Sequence, residues 1–236
     1  MQETFQYNEG DIIKQKYHVA SRYRTDFSGE YYLVSDPVNE GMQYDLHLIR
    51  GANDQNLDIK LRNYYAQLIN KNVSLLKPLS FDYDKKEGMF YFFYVQGALS
   101  KPLHSISTDD ESNELKLTIL RNLLDDMGKI RDANTYHSFI HPSSVMSYEG
   151  LFRLTLPGIG MLLLPKMQEL KSKESIYFSP EVIAQNNFSI ASDIWSFGVL
   201  ASLIYFGNYP DLDTNQTDQG REYKVSAASI PPPIRS

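Results

Sequence analysis

Cysteine is absent from this chain, which excludes disulfides, thiolate nucleophiles and cysteine-based zinc sites. No apolar run reaches the roughly 18 residues of a membrane span, and the opening stretch has no apolar core of the kind found in a signal peptide. Basic residues are scarce relative to acids: 23 Lys and Arg against 29 Asp and Glu give a net charge of −6. With no dense basic run, neither nucleic acid nor an anionic membrane is an expected partner. Tryptophan occurs once, whereas tyrosine and phenylalanine number 17 and 12. Such aromatics fill cores and anchor interfaces alike. With 236 residues, 42% of them hydrophobic, the chain can bury a substantial core as one large domain or two closely joined lobes. An intracellular protein, cytoplasmic or cytoskeletal, is the expectation.

The pattern changes character along the chain. Residues Gln43–Ile49 and Met89–Val95 are rich in β-formers and aromatics and predict strands. Between them Leu57, Leu61, Tyr64 and Leu68 recur at helical spacing. Asp82–Gly88 reads as the turn of a hairpin. After Val95 the pattern is helical: Leu117, Leu120, Leu124 and Met127 predict one apolar face, with Asp125, Asp126 and Lys129 off it. Asp109, Asp110 and Glu111 read as favourable charge before that helix. A loop-rich middle is expected from Asn134 to Glu181. Asp193–Phe206 is apolar on nearly every side, as in a buried central helix, and Gly207 and Pro210 supply its stop. The Pro231–Pro233 run reads as extended connector.

Three blocks then carry a resemblance: Ile-Tyr-Phe-Ser-Pro-Glu-Val-Ile from Ile176, Ser-Asp-Ile-Trp-Ser-Phe-Gly-Val-Leu from Ser192, and Gly-Asn-Tyr-Pro from Gly207. Their spacing resembles the protein-kinase family: the end of the activation segment, the central helix of the large lobe and the turn after it. By this resemblance Pro180 and Glu181 stand in the family's Ala-Pro-Glu, and Asp193, Trp195 and Gly198 in its central helix. His137–Met146 is similar to the catalytic loop, and Arg153–Gly158 to the approach to Asp-Phe-Gly. Phe92 falls at the gatekeeper, Val95–Leu99 at the hinge, and Asp26–Val34 at the glycine-rich loop. The resemblance implies an α+β bilobal fold, with a small β-rich lobe over residues 1–95 and a larger, mainly helical lobe over residues 96–236. The family's final helices, and the arginine that would pair with Glu181, are expected to be missing.

The same resemblance locates the reaction's groups, and these differ. His47 stands for the lysine that holds the α- and β-phosphates, and Leu61 for its glutamate partner. Phe139 stands for the catalytic-loop aspartate, Ser144 for the metal-binding asparagine, and Leu156 for the aspartate before Pro157 and Gly158. His137 and Gly158 persist as structural positions. Phosphoryl transfer is mostly positioning and charge neutralisation, and one lost stabilising group costs about 3–4 kcal/mol of barrier. Several missing together predict a pseudokinase with no catalytic residue, no metal and no cofactor, acting as a protein-binding scaffold or structural subunit within a larger assembly. An atypical kinase and an ATP-binding sensor are the alternatives.

Weaker candidates stay open at this point. Gly29, His47, Phe92 and Val95 could contact a nucleotide. Glu149 is a distant substitute carboxylate. His137 and His141, four apart, invite zinc, but they lie in a loop without a third ligand.

Overall fold

Period-two alternation organises the N-terminal half, and both faces of its sheet are apolar. In the computed structural model, which describes residues 5–39, 41–51, 56–103, 112–170, 173–207, 212–217 and 220–225, six strands form one antiparallel sheet. These are β1 (Ile12–Ile13), β2 (Tyr17–Asp26), β3 (Gly29–Asp36), β4 (Met42–Arg50), β5 (Ser80–Asp84) and β6 (Met89–Val95), in the order β1-β2-β3-β4-β6-β5. Successive side chains point to opposite faces of a strand. Tyr31, Ile49, Phe90, Phe92 and Tyr94 therefore join one cluster, and Tyr32, Val34, Leu46, Leu48, Tyr91 and Phe93 a second.

Helix α1 (Asn56–Asn70) supplies Leu57, Leu61, Tyr64, Tyr65 and Leu68 to the first cluster. The second is covered by the N-terminal segment. Phe5 packs edge-on against Tyr32 at 5.6 Å, and the Tyr7 hydroxyl lies 3.1 Å from that of Tyr91.

The C-terminal half opens with α2 (Asn113–Asp132), capped by the Ser112 side chain, which accepts from the Leu115 amide. This helix departs only in part from the sequence expectation, since Leu120 and Met127 pack against the core as expected. Its buried face is Ile119, Leu123, Asp126 and Ile130, while Leu117 and Leu124 are 40% and 50% exposed. The two faces have equally good helical spacing. Asp126 selects between them, because it accepts from Arg153 Nε and the Leu154 amide, each at 3.0 Å. Asp109, Asp110 and Glu111 lie outside the described residues, as do Pro210 and Pro231–Pro233.

The expected loop-rich middle is more ordered than its sequence suggests. It holds a hairpin, β7 (Val145–Tyr148) and β8 (Leu151–Leu154), and then helices α3 (Gly160–Leu170) and α4 (Pro180–Gln185). Pro165 lies inside α3. The apolar run from Met161 to Leu164 holds that helix regardless, with Leu162, Leu163 and Leu164 buried.

Helix α5 (Ile190–Phe206) begins in a capping box between Ser189 and Ser192 and ends at Gly207, whose φ is 70°. Its apolar circumference is not wholly enclosed: Ile194 is 59% exposed. The enclosed face is partly polar, with Ser192, Asp193 and Ser196 turned inward to hydrogen-bond partners. A last hairpin, β9 (Leu212–Thr217) and β10 (Gly220–Val225), follows.

Candidate functional site

One row of side chains crosses the face of the sheet that is turned towards the helices. Strand register places Arg24 on β2 opposite Tyr31 on β3, Tyr31 opposite His47 on β4, His47 opposite Phe92 on β6, and Phe92 opposite Phe81 on β5. Residues directly opposite share a face and touch. The Arg24 guanidinium lies 3.9 Å over the Tyr31 ring. Tyr31 stacks on His47 at 4.3 Å with 8° between planes. His47 meets Phe92 at 6.3 Å, and Phe92 meets Phe81 at 5.6 Å.

His47 is fully buried in this row, and its Nε2 donates to the Ser28 carbonyl at 3.0 Å. Gly29 explains how the β2–β3 turn approaches so closely. A Cβ there would sit 2.3 Å from the Leu48 carbonyl and 2.8 Å from His47 Nε2, and its φ is 143°. The glycine fits the turn against the imidazole.

Two residues before His47, on the same face of β4, is Asp45. It is wholly buried. Its carboxylate accepts from the Leu99 amide at 2.7 Å, the Gly97 amide at 3.2 Å and the Tyr23 hydroxyl at 2.9 Å. Burial raises its pKa against the pull of those three donors. This acid was not singled out in the sequence, because its two amide donors lie more than 50 residues away. Val95 ends β6, and its carbonyl accepts from the Ala98 amide at 3.1 Å.

Asp193 organises the loop below. Its two oxygens accept from the His137 and Ser138 amides at 2.5 and 2.9 Å. The His137 carbonyl takes the Gly158 amide at 2.8 Å, and Ser138 Oγ takes the Gly160 amide at 3.2 Å. Ser138 and Leu156 hold φ values of 72° and 59°, a region that side chains with a Cβ rarely occupy. Phe139 is buried and stacks on His141 at 5.2 Å. The Ser144 hydroxyl closes a capping box with His141, accepting from its amide at 3.0 Å and donating to its carbonyl at 2.9 Å. Leu61 is buried where α1 meets the Gly158 turn, and Tyr65 donates to the Pro157 carbonyl at 2.6 Å.

Pro180 and Glu181 open α4. Trp195 Nε1 donates to the Ile176 carbonyl at 2.9 Å, which fixes the segment before it. Gly198 lies on the exposed side of α5, with open space beside it. Glu149 sits exposed at the β7–β8 turn.

The profile of the protein tyrosine and serine/threonine kinase family matches residues 87–231, more than half of the chain. The chain belongs to this family. It is 25% identical over 163 residues to a C-type lectin receptor-like tyrosine-protein kinase of Arabidopsis thaliana, covering 64% of this chain and 29% of that protein. It is 26% identical over 95 residues to a dual specificity mitogen-activated protein kinase kinase of Caenorhabditis elegans, covering 40% of this chain and 24% of that one. The chain thus spans less than a third of either relative. In fold it is similar to the kinase domain of Mycobacterium tuberculosis PknI, with a TM-score of 0.65 and 14% identity over 87% of this chain and 79% of that one.

At the positions that the resemblance assigns to the family's magnesium, the residues present do not fit a metal. Leu156 has no donor atom for a cation, and the Ser144 hydroxyl is committed to its capping box. At the position that the resemblance assigns to the family's lysine, His47 offers a buried imidazole. Among the described residues no group of three or more His, Cys, Asp or Glu could hold a metal. Nor is any described helix long and apolar enough to cross a membrane.

Two buried groups set opposite pH dependences. Burial lowers the His137 pKa to about 4 and raises that of Asp193 to about 7 against its two amide donors. His137 favours the folded chain fully above pH 6.5, and that contribution is lost as pH falls towards 4. Asp193 favours it below 3.8, and that is lost as pH rises through 7. Each slope is up to about 1.4 kcal/mol per pH unit, so the two largely cancel between pH 6.5 and 4. Asp193→Asn removes one slope. Urea midpoints at pH 7 and pH 4.5 are expected to fall further apart in that variant than in the native chain.

Proposed function

We propose that this member of the kinase family is a pseudokinase: a catalytically inactive domain that acts by binding other proteins, as a scaffold or as a structural subunit of a larger assembly. The observation that carries the reading is the row Arg24–Tyr31–His47–Phe92–Phe81. It fills the position of the family's lysine with stacked rings. Phe139 and Leu156 bring apolar side chains to the two aspartate positions, which supports loss of both the proton acceptor and the metal ligand. Such groups act as a unit, so their losses are not rescued singly. The backbone around them nevertheless keeps its strained form at Ser138 and Leu156, which supports a role for the shape itself.

The test is thermal unfolding with and without ATP, each with and without magnesium. A ligand present at 100 times its dissociation constant stabilises by about 2.7 kcal/mol. No shift is expected in any of the four conditions. A shift that needs magnesium would return the domain to the enzymes, and one without magnesium would make it a nucleotide sensor.

A further inference from the structure

The turn between β2 and β3 carries an aromatic ring across the cleft. Phe27 lies 4.7 Å from His141 and 5.7 Å from Phe139, edge-on to both. Those two rings are backed in turn by Tyr177, 4.4 Å from His141, and by Phe178, 6.4 Å from Phe139. The tip that presents Phe27 is stiff. The Asp26 carboxylate accepts from both the amide and the hydroxyl of Ser28, at 2.8 and 2.5 Å, and that hydroxyl lies 2.6 Å from the Tyr31 hydroxyl. The Ser28 carbonyl is taken by His47. At the other end of the cleft the Asp45 carboxylate ties β4 to the Gly97 and Leu99 amides. Besides the continuous core that the halves share, the sheet is fastened to the catalytic-loop segment by a ring and to the hinge by a carboxylate. Neither fastening involves a ligand.

We infer that the β2–β3 tip is a latch, an intramolecular contact through Phe27 that holds the two lobes closed over the cleft in the absence of any nucleotide. Lobe closure around a ligand is a common motion of two-lobed folds. Here the chain's own ring occupies the closing contact.

The experiment is amide hydrogen exchange on the full chain without nucleotide or partner, which reads local opening segment by segment. In Phe27→Ala, peptides covering residues 22–31 and 137–146 are expected to exchange at least about tenfold faster together, with residues 114–130 of α2 unchanged. Phe27→Leu, which keeps an apolar group in the contact, is expected to restore part of the protection in the same two segments. Unchanged exchange in either segment overturns the latch. So does a rise of equal size in α2, since that reports general loosening. Neither result bears on the nucleotide titration above, so the two proposals fail separately.

Discussion

A lysine in place of His47 is expected to damage the domain: His47→Lys should lose about 3–5 kcal/mol, the cost of a buried charge left without its partner. The His47 ring is fully buried between Tyr31 and Phe92. An ammonium there would replace a stacked ring and would share its row with the Arg24 guanidinium. Asp45, two residues back on the same face of β4, is committed to two hinge amides and a tyrosine hydroxyl. Urea unfolding of the variant measures the loss, and added magnesium-ATP is expected to recover none of it. Undiminished stability with a nucleotide-dependent shift would mean that the lysine escapes the row, and the picture of a self-filled cleft would fall.

Asp126→Ala is expected to cost a similar amount, about 3–5 kcal/mol. Asp126 is buried on α2 and receives Arg153 Nε and the Leu154 amide at 3.0 Å and Lys129 Nζ at 2.8 Å. Arg153 also donates to the Ser74 carbonyl at 2.9 Å, so one carboxylate steadies β8 and the link between α1 and β5. Removing it strands a half-buried guanidinium and a buried amide. Leu117→Ala, on the exposed side of the same helix, is the control and should change stability by less than about 1 kcal/mol, since surface substitutions usually lie within a few tenths. Equal losses from the two substitutions would show that α2 is turned the other way.

How much could be read from the chain follows from the range of each interaction. The C-terminal blocks were readable because their signals are local, namely the apolar run of α5 and its glycine stop at Gly207. The helix nevertheless starts three residues before the expected Asp193, at the capping box of Ser189 and Ser192, and α4 lies inside the expected loop. Strand β6 matched its expected bounds because seven successive residues are β-formers or aromatics. The facing of α2 was not readable, because Leu117 and Leu124 mimic a buried stripe and the deciding partner, Arg153, lies 27 residues on. Helix α3 was hidden by Gly160 and Pro165, which read as breakers. At the cleft, the expected positions rest on their spacing to the recognisable blocks. What fills the cleft could not be found that way. Asp45 finds its donors 52 and 54 residues away, and Phe27 meets residues more than a hundred positions on.

The sheet's two apolar faces raise a question of register. A slip of one residue exchanges the faces of a strand, and hydrophobicity alone would hardly oppose it in β3 or β6. Tyr31 is followed by Tyr32 and Phe92 by Phe93, all of them buried. The polar atoms of β4 distinguish the alternatives. Only in the observed alignment does Asp45 meet the hinge amides and His47 the Ser28 carbonyl. Any slipped pairing would bury a carboxylate and an imidazole against hydrocarbon. Asp45 and His47 thus specify how this aromatic-rich sheet is aligned.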